Sequence, residues 1–246
     1  MDLDDPRTTS LQRSIIRDKP FLRAIYDEWY ASIAAALPPI GQMPEPVIEL
    51  GSGAGYMRRF VPNLITSDIF NCDNLDIVTD GCRLPFADAS LRGLAMVDVL
   101  HHIPGVERFF TQAARCIRPG GVITMIEPWA TTWSTWVYQN LHHEPFRPDA
   151  KDWSIPASGP LSGANGALPW ILFERDRDQF KAKFPALRIE SIQPIMPLRY
   201  LLSGGVSMRS LQPGVATSLW RGIERLLLSV APRKTAMFAK IVIRRV

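Results

Sequence analysis

Cysteine is scarce in this chain of 246 residues. Cys72, Cys82 and Cys116 are scattered, odd in number and without the spacing of zinc ligands. The sequence therefore predicts neither a disulfide framework nor a cysteine metal site. Such cysteine usage is typical of a protein kept in a reducing, cytoplasmic compartment.

Long apolar runs are also missing, although apolar residues make up 46% of the chain. No stretch approaches the ~20 residues that a membrane-spanning helix needs. The acidic and polar start Met-Asp-Leu-Asp-Asp-Pro lacks the features of a signal peptide. We therefore expect a cytoplasmic protein whose contact with a membrane, if it has one, is peripheral.

Acidic residues are rare after Met196, where nine Lys and Arg accompany Glu224 alone. A basic C-terminal part can contact phosphates or an anionic membrane, but an ordinary arginine-rich surface is the simpler interpretation. The basic residues lack an accompanying nucleic-acid-binding motif. Nucleic acid is therefore not an expected partner.

Apolar segments of strand and helix character alternate along the chain, which predicts a parallel sheet with right-handed crossovers. The predicted class is α/β: a Rossmann-like, doubly wound, mostly parallel seven-stranded sheet in an α/β/α sandwich. Strands are predicted at 46–50, Leu64–Ile69, Leu75–Val78, Leu94–Val99, Gly121–Ile126, Leu187–Ile195 and Met237–Val242. Helices are predicted at 10–37 with a break at Pro20, and at Tyr56–Phe60, Val106–Ile117, Glu174–Phe184 and Gln212–Val230.

A single domain is expected to span residues 1–246, with helical and aromatic additions to the sheet. Its predicted parts are N-terminal helices or a lid (1–45), a cofactor-binding core (46–129), an aromatic-rich insertion after the fifth strand (130–185) and closing strands with an inserted amphipathic helix (186–246). An insertion of this length is typical of a substrate pocket or lid. The apolar side of the amphipathic helix is expected to pack against the sheet. The alternative is that this side contacts an anionic membrane. That side comprises Val215, Leu219, Ile223, Leu226, Leu227 and Val230.

The most informative stretch is Val-Ile-Glu-Leu-Gly-Ser-Gly-Ala-Gly at 47–55, an apolar strand that runs into three alternating glycines. Glycine permits positive φ and lets a ligand lie against the backbone. A strand followed by such a turn is typical of nucleotide-binding sheets. Asp68 closes the next strand, at a solvent-accessible end where a carboxylate can accept hydrogen bonds from both hydroxyls of a ribose.

Three more motifs follow: Asp80-Gly81 before Leu-Pro-Phe, Asp98-Val-Leu-His-His at the end of the fourth strand, and Arg-Pro-Gly-Gly as a tight turn into the fifth. With the glycine turn and Asp68, this series resembles the class I S-adenosylmethionine-dependent methyltransferases, in particular the type 11 group that includes ubiquinone-biosynthesis-like enzymes. The resemblance covers about residues 40–128. It implies methyl transfer as the activity and S-adenosylmethionine as the cofactor.

The resemblance also implies binding roles for residues of the glycine turn and of the strand ends that follow it. At the methionine end of the cofactor these are Glu49, Gly51, Ser52, Gly53 and Gly55. At the ribose and adenine they are Asp68, Ile69, Asp80 and Gly81. Beside the sulfonium they are Val97 and Asp98. The carboxylates of Glu49 and Asp98 would complement the cationic sulfur and the ammonium group of this cofactor.

A nicotinamide-dependent dehydrogenase is the competing interpretation of the glycine turn. Its Gly-x-Gly-x-x-Gly fingerprint requires glycine where this chain has Tyr56. Asp68 follows Gly55 by thirteen residues, whereas the acid of the fingerprint comes ~20 residues on. The absence of a Tyr-x-x-x-Lys pair also disfavours this class.

The histidines of the chain occur as two adjacent pairs, 101–102 and 142–143. A general base is required if the methyl acceptor is a hydroxyl. The candidate catalytic residues are His101, His102, His143 and Glu127, with a structural role as the alternative for each. A metal site is not expected, because adjacent histidines at a strand end point to opposite sides.

The expected acceptor is a hydroxyl of a small molecule, a glycan or a lipid-linked intermediate. Four tryptophans of the insertion could stack on a sugar or line an apolar pocket: Trp133, Trp136, Trp153 and Trp170. Aromatic residues of the N-terminal helices are expected in the core, with a cofactor lid as the alternative: Tyr26, Trp29 and Tyr30. A partner subunit that binds the cofactor without transferring methyl groups is the second function class.

Overall fold

The computed structural model describes residues 6–53, 55–142, 144–155, 159, 163–206 and 216–246. Its strands are β1 (Val47–Leu50), β2 (Leu64–Asp68), β3 (Ile77–Val78), β4 (Leu91–Val97), β5 (Ile117–Pro128), β6 (Leu187–Ile195) and β7 (Phe238–Arg245). Its α-helices are α1 (Pro6–Asp18), α2 (Pro20–Ala36), α3 (Val106–Cys116), α4 (Thr132–Leu141), α5 (Leu168–Trp170), α6 (Arg177–Lys183), α7 (Arg199–Ser203), α8 (Thr217–Val230) and α9 (Pro232–Thr235). Short 3-10 turns occur at Met57–Arg59 and Leu100–His102, and a π-helix at Ile171–Arg175 joins α5 to α6.

The strands form a seven-stranded sheet in the order β3-β2-β1-β4-β5-β7-β6. β1 lies in its interior and buries all of its residues, as expected for a parallel strand covered on both faces. β1 to β5 pair in parallel, whereas β7 runs antiparallel to both β5 and β6. The predicted α/β class with a mostly parallel, doubly wound sheet is confirmed.

The position of β7 distinguishes this sheet from that of dinucleotide-binding folds, whose strand order is 3-2-1-4-5-6. Here β7 is inserted between β5 and β6, with Ile241 paired to Met125 on one side and Ile192 on the other. The topology therefore disfavours the dehydrogenase interpretation of the glycine turn.

The two N-terminal helices are separated at Pro20, as predicted, and this proline begins α2. Proline is tolerated there because the first N–H groups of a helix have no partner within the helix. Trp29 is buried and stacks on Tyr200 of α7, with 5.6 Å between the ring centroids. The core position predicted for the aromatic residues of α2 is confirmed for Trp29, whereas Tyr26 and Tyr30 are buried but also line the large cavity.

The Arg-Pro-Gly-Gly segment lies within β5 and not in a turn before it. Leu91 of β4 pairs with Ile117, whereas Gly93 pairs with Val122, so the register shifts between these two pairs. The shift accommodates extra residues as a bulge. The predicted turn was wrong because glycine and proline mark an irregular strand as readily as a strand start.

The tryptophans of the insertion pack against the fold. Trp133 donates its indole N–H to the Pro197 carbonyl at 2.8 Å and stacks on Trp136. Trp153 is buried and donates to the Asp176 carboxylate at 2.8 Å. None of the four predicted tryptophans lines the large cavity of the described structure. A tryptophan-lined pocket is therefore not borne out.

The helix α8 turns its apolar side outward. Leu219 and Leu226 are each 66% exposed and Val230 is 77% exposed, whereas the buried residue of this helix is Glu224. Glu224 accepts a hydrogen bond from the Arg199 guanidinium at 2.5 Å. The expected packing of the apolar side against the sheet is wrong, because this buried ion pair anchors the opposite side. No helix in the described ranges has the length and apolarity to cross a bilayer.

Candidate active site

The carboxyl ends of β1, β2 and β4 border a cavity of about 520 Å³. Ligands of open parallel sheets bind at this edge, where the strand order reverses, here between β1 and β4. The predicted cofactor-binding residues that line the cavity are Glu49, Gly51, Gly55, Asp68, Ile69, Asp80, Gly81, Val97 and Asp98. Ser52 and Gly53 are not part of its lining. The structure thus brings together nine positions that are far apart in sequence.

The glycine turn has a backbone that a larger residue would disturb. Gly51 has φ +68°, and a Cβ at this position would collide with Val99. The N–H of Gly55 donates to the Ser52 carbonyl at 2.7 Å and closes the turn. The Ser52 hydroxyl accepts a hydrogen bond from the Ser67 N–H at 3.1 Å. The side chain of Ser52 therefore supports the turn, and the predicted contact of its backbone with the cofactor remains a prediction.

Asp68 ties the end of β2 to the glycine turn. Its Oδ2 accepts from the Gly53 N–H at 3.0 Å, and its Oδ1 accepts from the Phe70 N–H at 3.1 Å. A Cβ on Gly53 would lie 2.8 Å from Oδ2, so this contact requires glycine. Asp68 is only 9% exposed, and not open to solvent as predicted, because both oxygens bind backbone. Each oxygen retains a further lone pair that can accept from a ligand in the cavity.

The helix α1 covers the glycine turn from outside the sheet. The Arg13 guanidinium donates to the Gly53 carbonyl at 2.5 Å, and Thr9 and Gln12 line the cavity. A Cβ on Gly53 would also collide with the Thr9 methyl group. The sequence predicted helices here but gave no signal for this contact, because the turn and α1 are joined only by the tertiary fold.

The ends of β2 and β3 supply an apolar and an acidic border to the cavity. Asp80 Oδ1 accepts from the Cys82 N–H at 2.8 Å, which fixes the backbone around Gly81. Ile69 lines the cavity and is 41% exposed, unusual for a large apolar side chain next to a buried strand. An apolar side chain beside a carboxylate suits a planar, polar-edged ring such as a purine.

Two carboxyl groups at the cavity have perturbed acidity. Burial raises the pKa of Glu49 to about 7. Burial likewise raises the pKa of Asp98 to about 7, although the neighbouring His101 opposes the shift. Asp98 also has φ +62°, a conformation that aspartate tolerates better than most residues. A bound cation would favour the ionised form of both groups.

His101 lies between two carboxylates in the interior. Its Nδ1 is 2.8 Å from Glu127 Oε2, and its Nε2 is 3.4 Å from Glu144 Oε2. Burial would lower the pKa of His101, but the two carboxylates outweigh burial and hold it well above its ordinary value. Neither His101 nor Glu127 lines the cavity. Both are therefore set back from the cavity surface, and their catalytic role remains a prediction.

His102 and Glu144 do line the cavity. His102 Nε2 lies 3.8 Å from Glu144 Oε1. Burial and the charge of His101 lower the pKa of His102 to about 4, so its ring is neutral near pH 7. Burial raises the pKa of Glu144, but its hydrogen bond with His101 outweighs this and brings the pKa to about 2. A neutral imidazole thus lies beside a permanent carboxylate, while predicted His143 lies outside the described residues.

The side chains of the first histidine pair do not point to opposite sides, so the expectation for adjacent histidines was wrong here. His101 and His102 lie on a helical turn, and their ring centroids are 4.2 Å apart. One ligand atom from each of His101, His102 and Glu144 lies within 4.8 Å of the others. A charged His101 between two carboxylates satisfies the same geometry. The prediction that the site has no metal therefore remains a prediction.

Tyrosines supply the aromatic surface of the cavity, which is lined by Tyr26, Tyr30, Tyr138 and Tyr200. Tyr138 donates its hydroxyl to the Met237 carbonyl at 2.9 Å and is held in place by β7. The many aromatic residues of the insertion indicated that some of them, such as Tyr138, would line a pocket. Nothing in the sequence around Tyr200 indicated that α7 would close this cavity.

Residues 48–125 match a family model described as a methyltransferase domain. Over this segment the chain is similar to methyltransferase domains. The matched segment runs from β1 into β5 and contains the glycine turn, Asp68, Asp80 and the first histidine pair. The match agrees with the predicted methyltransferase family, and S-adenosylmethionine is the cofactor consistent with it.

Solved structures share the fold of this methyltransferase domain. One is the geranyl diphosphate C-methyltransferase from Streptomyces coelicolor A3(2), in complex with Mg²⁺, geranyl diphosphate and S-adenosyl-L-homocysteine. Its sequence is 13% identical and the TM-score is 0.57, and the match covers 96% of this chain and 84% of that chain. A chain of the complex between the Haloferax volcanii Trm112 methyltransferase activator and a methyltransferase is 14% identical with a TM-score of 0.54, covering 95% and 92%. The S-adenosylmethionine-dependent methyltransferase from Mesorhizobium loti is 14% identical with a TM-score of 0.52, covering 87% and 96%. At these identities the likeness concerns the fold, and a search among curated proteins gave no match.

Proposed function

We propose that the protein transfers a methyl group from S-adenosylmethionine to a hydroxyl of a small-molecule, glycan or lipid-linked acceptor. The observation that carries the proposal is the continuity of the cavity. The glycine turn and Asp68 border it on one side, and His102 and Glu144 border it on the other. A cofactor and an acceptor can therefore meet inside one enclosure, as an in-line displacement requires.

The lining of the cavity fits this cofactor. Gly51 allows a ligand to approach the turn closely, and Asp68 has acceptor capacity toward ribose hydroxyls. Glu49 and Asp98 can complement the ammonium and sulfonium charges. The described part of the lining contains no Lys or Arg. This composition suits a ligand without phosphate groups and disfavours both dinucleotides and diphosphate-bearing acceptors.

His102 is the proposed proton acceptor. The bound cofactor supplies an electrophilic methyl group on a cationic sulfur. When the acceptor hydroxyl is methylated, the neutral His102 ring would take its proton. The Glu144 carboxylate, 3.8 Å away, stabilises the charged ring. His101 and Glu127 position Glu144 and the backbone that leads to His102.

We expect His102→Gln to lower turnover by about 100-fold or more, because it removes the base from a step that base catalysis accelerates by about 10²–10⁴. Affinity for S-adenosylhomocysteine should remain within about twofold, since His102 lies on the acceptor side. Turnover would be measured as label transferred from isotopic S-adenosylmethionine to metabolite extracts, with the product identified by a mass gain of one methylene. Glu144→Gln should reduce turnover in the same assay.

Glu174→Gln is the matched control for Glu144→Gln, because Glu174 is exposed and outside the cavity lining. Turnover unaffected by His102→Gln would remove His102 as the base. Cofactor binding without label transfer to any acceptor in a broad panel would favour the partner-subunit alternative.

A pH dependence of cofactor affinity follows from the perturbed carboxyl groups. The pKa values of Glu49 and Asp98 are about 7, so below this pH the groups become neutral and no longer attract a cation. Affinity for S-adenosylmethionine should therefore rise between about pH 5.5 and 7.5, below the range in which a ligand amino group loses its proton. S-adenosylhomocysteine lacks the sulfonium and should show a shallower rise. Calorimetry across this pH range would measure the affinity. Glu49→Gln should flatten the pH profile. A flat profile for the wild type would contradict this assignment.

A further inference from the structure

We propose that the outer side of α8, with the basic residues of α8 and α9, binds an anionic lipid bilayer. The proposal concerns where the protein works. It does not depend on the methyl acceptor or on the proposed proton transfer, and it commits to the membrane contact that the sequence left as an alternative.

The outer side of α8 presents an apolar stripe. Leu219, Ile223, Leu226 and Val230 recur at the spacing that places side chains on one side of a helix. Leu219 and Leu226 are 66% exposed and Val230 is 77% exposed, while Ile223 between them is half-buried. A single exposed leucine is ordinary, whereas a contiguous apolar stripe marks a surface that meets another apolar phase.

A buried network prevents α8 from rotating this stripe inward. Glu224, on the opposite side, accepts hydrogen bonds from the Leu198 N–H at 2.8 Å and from the Arg199 N–H at 2.7 Å. The Arg199 guanidinium binds Glu224 and also Glu28 of α2, at 2.9 Å. Rotation of the helix would leave these buried charges unpaired, which is strongly unfavourable. The outward orientation is therefore built into the fold.

The cations near the stripe are available for an anionic surface. Arg225, Arg233 and Lys234 form no ion pair within the part of the chain that the structure describes. By contrast, other basic groups of the C-terminal part are engaged: Arg221 with Glu28, Arg244 with Glu190, and Lys240 with the Ser32 carbonyl. The single acidic residue of α8 and α9 is Glu224, which is buried. An apolar stripe flanked by cations is typical of helices that lie in a membrane interface.

Charge and position favour a bilayer over a second copy of the chain. A symmetric dimer through α8 would bring the same cations of both copies together, whereas lipid phosphates would neutralise them. The neighbouring α9 contacts α4, which carries Trp136 at 53% exposure and Leu141 at 51%. Tryptophan is enriched at membrane interfaces, and Leu141 also lines the cavity. The proposed lipid-facing helices therefore adjoin the rim of the active-site cavity.

The test is sedimentation of the full chain with vesicles of phosphatidylcholine, with or without phosphatidylglycerol. We expect binding to the anionic vesicles alone, weakened by added salt. Leu219→Ser with Leu226→Ser should weaken binding by at least about tenfold, because two apolar side chains no longer enter the interface. Arg225→Glu with Lys234→Glu should weaken it by a similar factor. All four residues are exposed, so circular dichroism is expected to show an unchanged fold.

The controls are the same substitutions elsewhere: Ile40→Ser at a position 42% exposed, and Arg177→Glu on the surface of α6. Neither should alter vesicle binding. The proposal would be overturned if the wild-type protein did not bind anionic vesicles. It would also be overturned if the double variants bound like wild type, or if the controls lost binding equally. A wild-type dimer that Leu219→Ser with Leu226→Ser converts to monomer would assign the surface to a second copy. Affinity for S-adenosylhomocysteine, expected to be unchanged in every variant, separates this outcome from the fate of the proposed function.

Discussion

Asp68→Ala is expected to weaken S-adenosylhomocysteine binding by about 100-fold or more, since charge-assisted hydrogen bonds contribute about 1.5–3 kcal/mol each. The substitution removes the proposed acceptor for the ribose hydroxyls. It also leaves the N–H groups of Gly53 and Phe70 without their partner, so the glycine turn loses its attachment to β2. Isothermal calorimetry of the purified full chain would measure the loss.

Asp73→Ala is the matched control, because Asp73 is exposed in the segment after β2. It should leave affinity within about twofold. Asp68→Asn keeps the side-chain volume and one carbonyl acceptor, so we expect an intermediate loss. Unchanged affinity in Asp68→Ala would remove the ribose assignment, and a thermal unfolding curve would show whether a loss reflects the site or the whole domain.

Glu127→Ala is expected to lower the free energy of unfolding by about 3–5 kcal/mol, the cost of leaving a buried charge without its partner. Glu127 is fully buried and binds His101 Nδ1 at 2.8 Å. Its other oxygen accepts from the N–H groups of Val99 and Leu100 at 2.9 and 2.8 Å. The substitution therefore removes one of the two carboxylates beside a charged ring and leaves two backbone donors without their acceptor. Urea unfolding near neutral pH would measure the change.

The pH dependence provides a second readout of the same pair. The folded-state pKa of His101 is raised, so its contribution to stability is complete below the unfolded value of about 6.5 and is lost as pH rises through the folded pKa. Wild-type stability should thus fall as pH rises above about 6.5 and through the raised folded pKa, with a limiting slope of about 1.4 kcal/mol per pH unit for one proton. Glu127→Ala should fall less steeply, because His101 loses the partner that raises its pKa.

Glu174→Ala, a substitution at an exposed glutamate, should change stability by less than about 0.5 kcal/mol. A Glu127→Ala variant as stable as this control would show that the His101 contact contributes little. Parallel pH profiles for wild type and Glu127→Ala would show that His101 does not carry a raised pKa.

The cofactor side of the site was predictable because it consists of short motifs of contiguous residues. Three alternating glycines after an apolar strand require a turn whatever the rest of the chain does, and Gly51 indeed has positive φ. Asp68, Asp80 and Asp98 follow successive strands. The carboxyl ends of parallel strands meet at one edge, so strand assignment alone brings these acids together.

The acceptor side was less predictable because it depends on contacts between distant segments. Glu144 meets His101 only because the insertion folds back over the end of β4. Tyr200 enters the cavity because Arg199 next to it is bound by Glu28 and Glu224. No local pattern encodes these pairings. His102 could therefore not be ranked above the other candidates, and Glu144 was not among them.

The orientation of α8 was likewise not predictable from local sequence. Its periodicity correctly predicted an amphipathic helix, and the general expectation that apolar sides face inward then gave the wrong direction. A helix follows its strongest anchoring contact. Here the anchor is the charge of Glu224, paired with Arg199 in the interior.

The sequence by itself determined the fold class, the glycine turn and the acids at successive strand ends, because backbone conformation and strand order depend on local residue types. The tertiary structure decided which groups share the cavity, which histidine is charged and which side of α8 is exposed. Those properties depend on burial and on charges supplied by distant parts of the chain, and neither is present in any one segment of sequence.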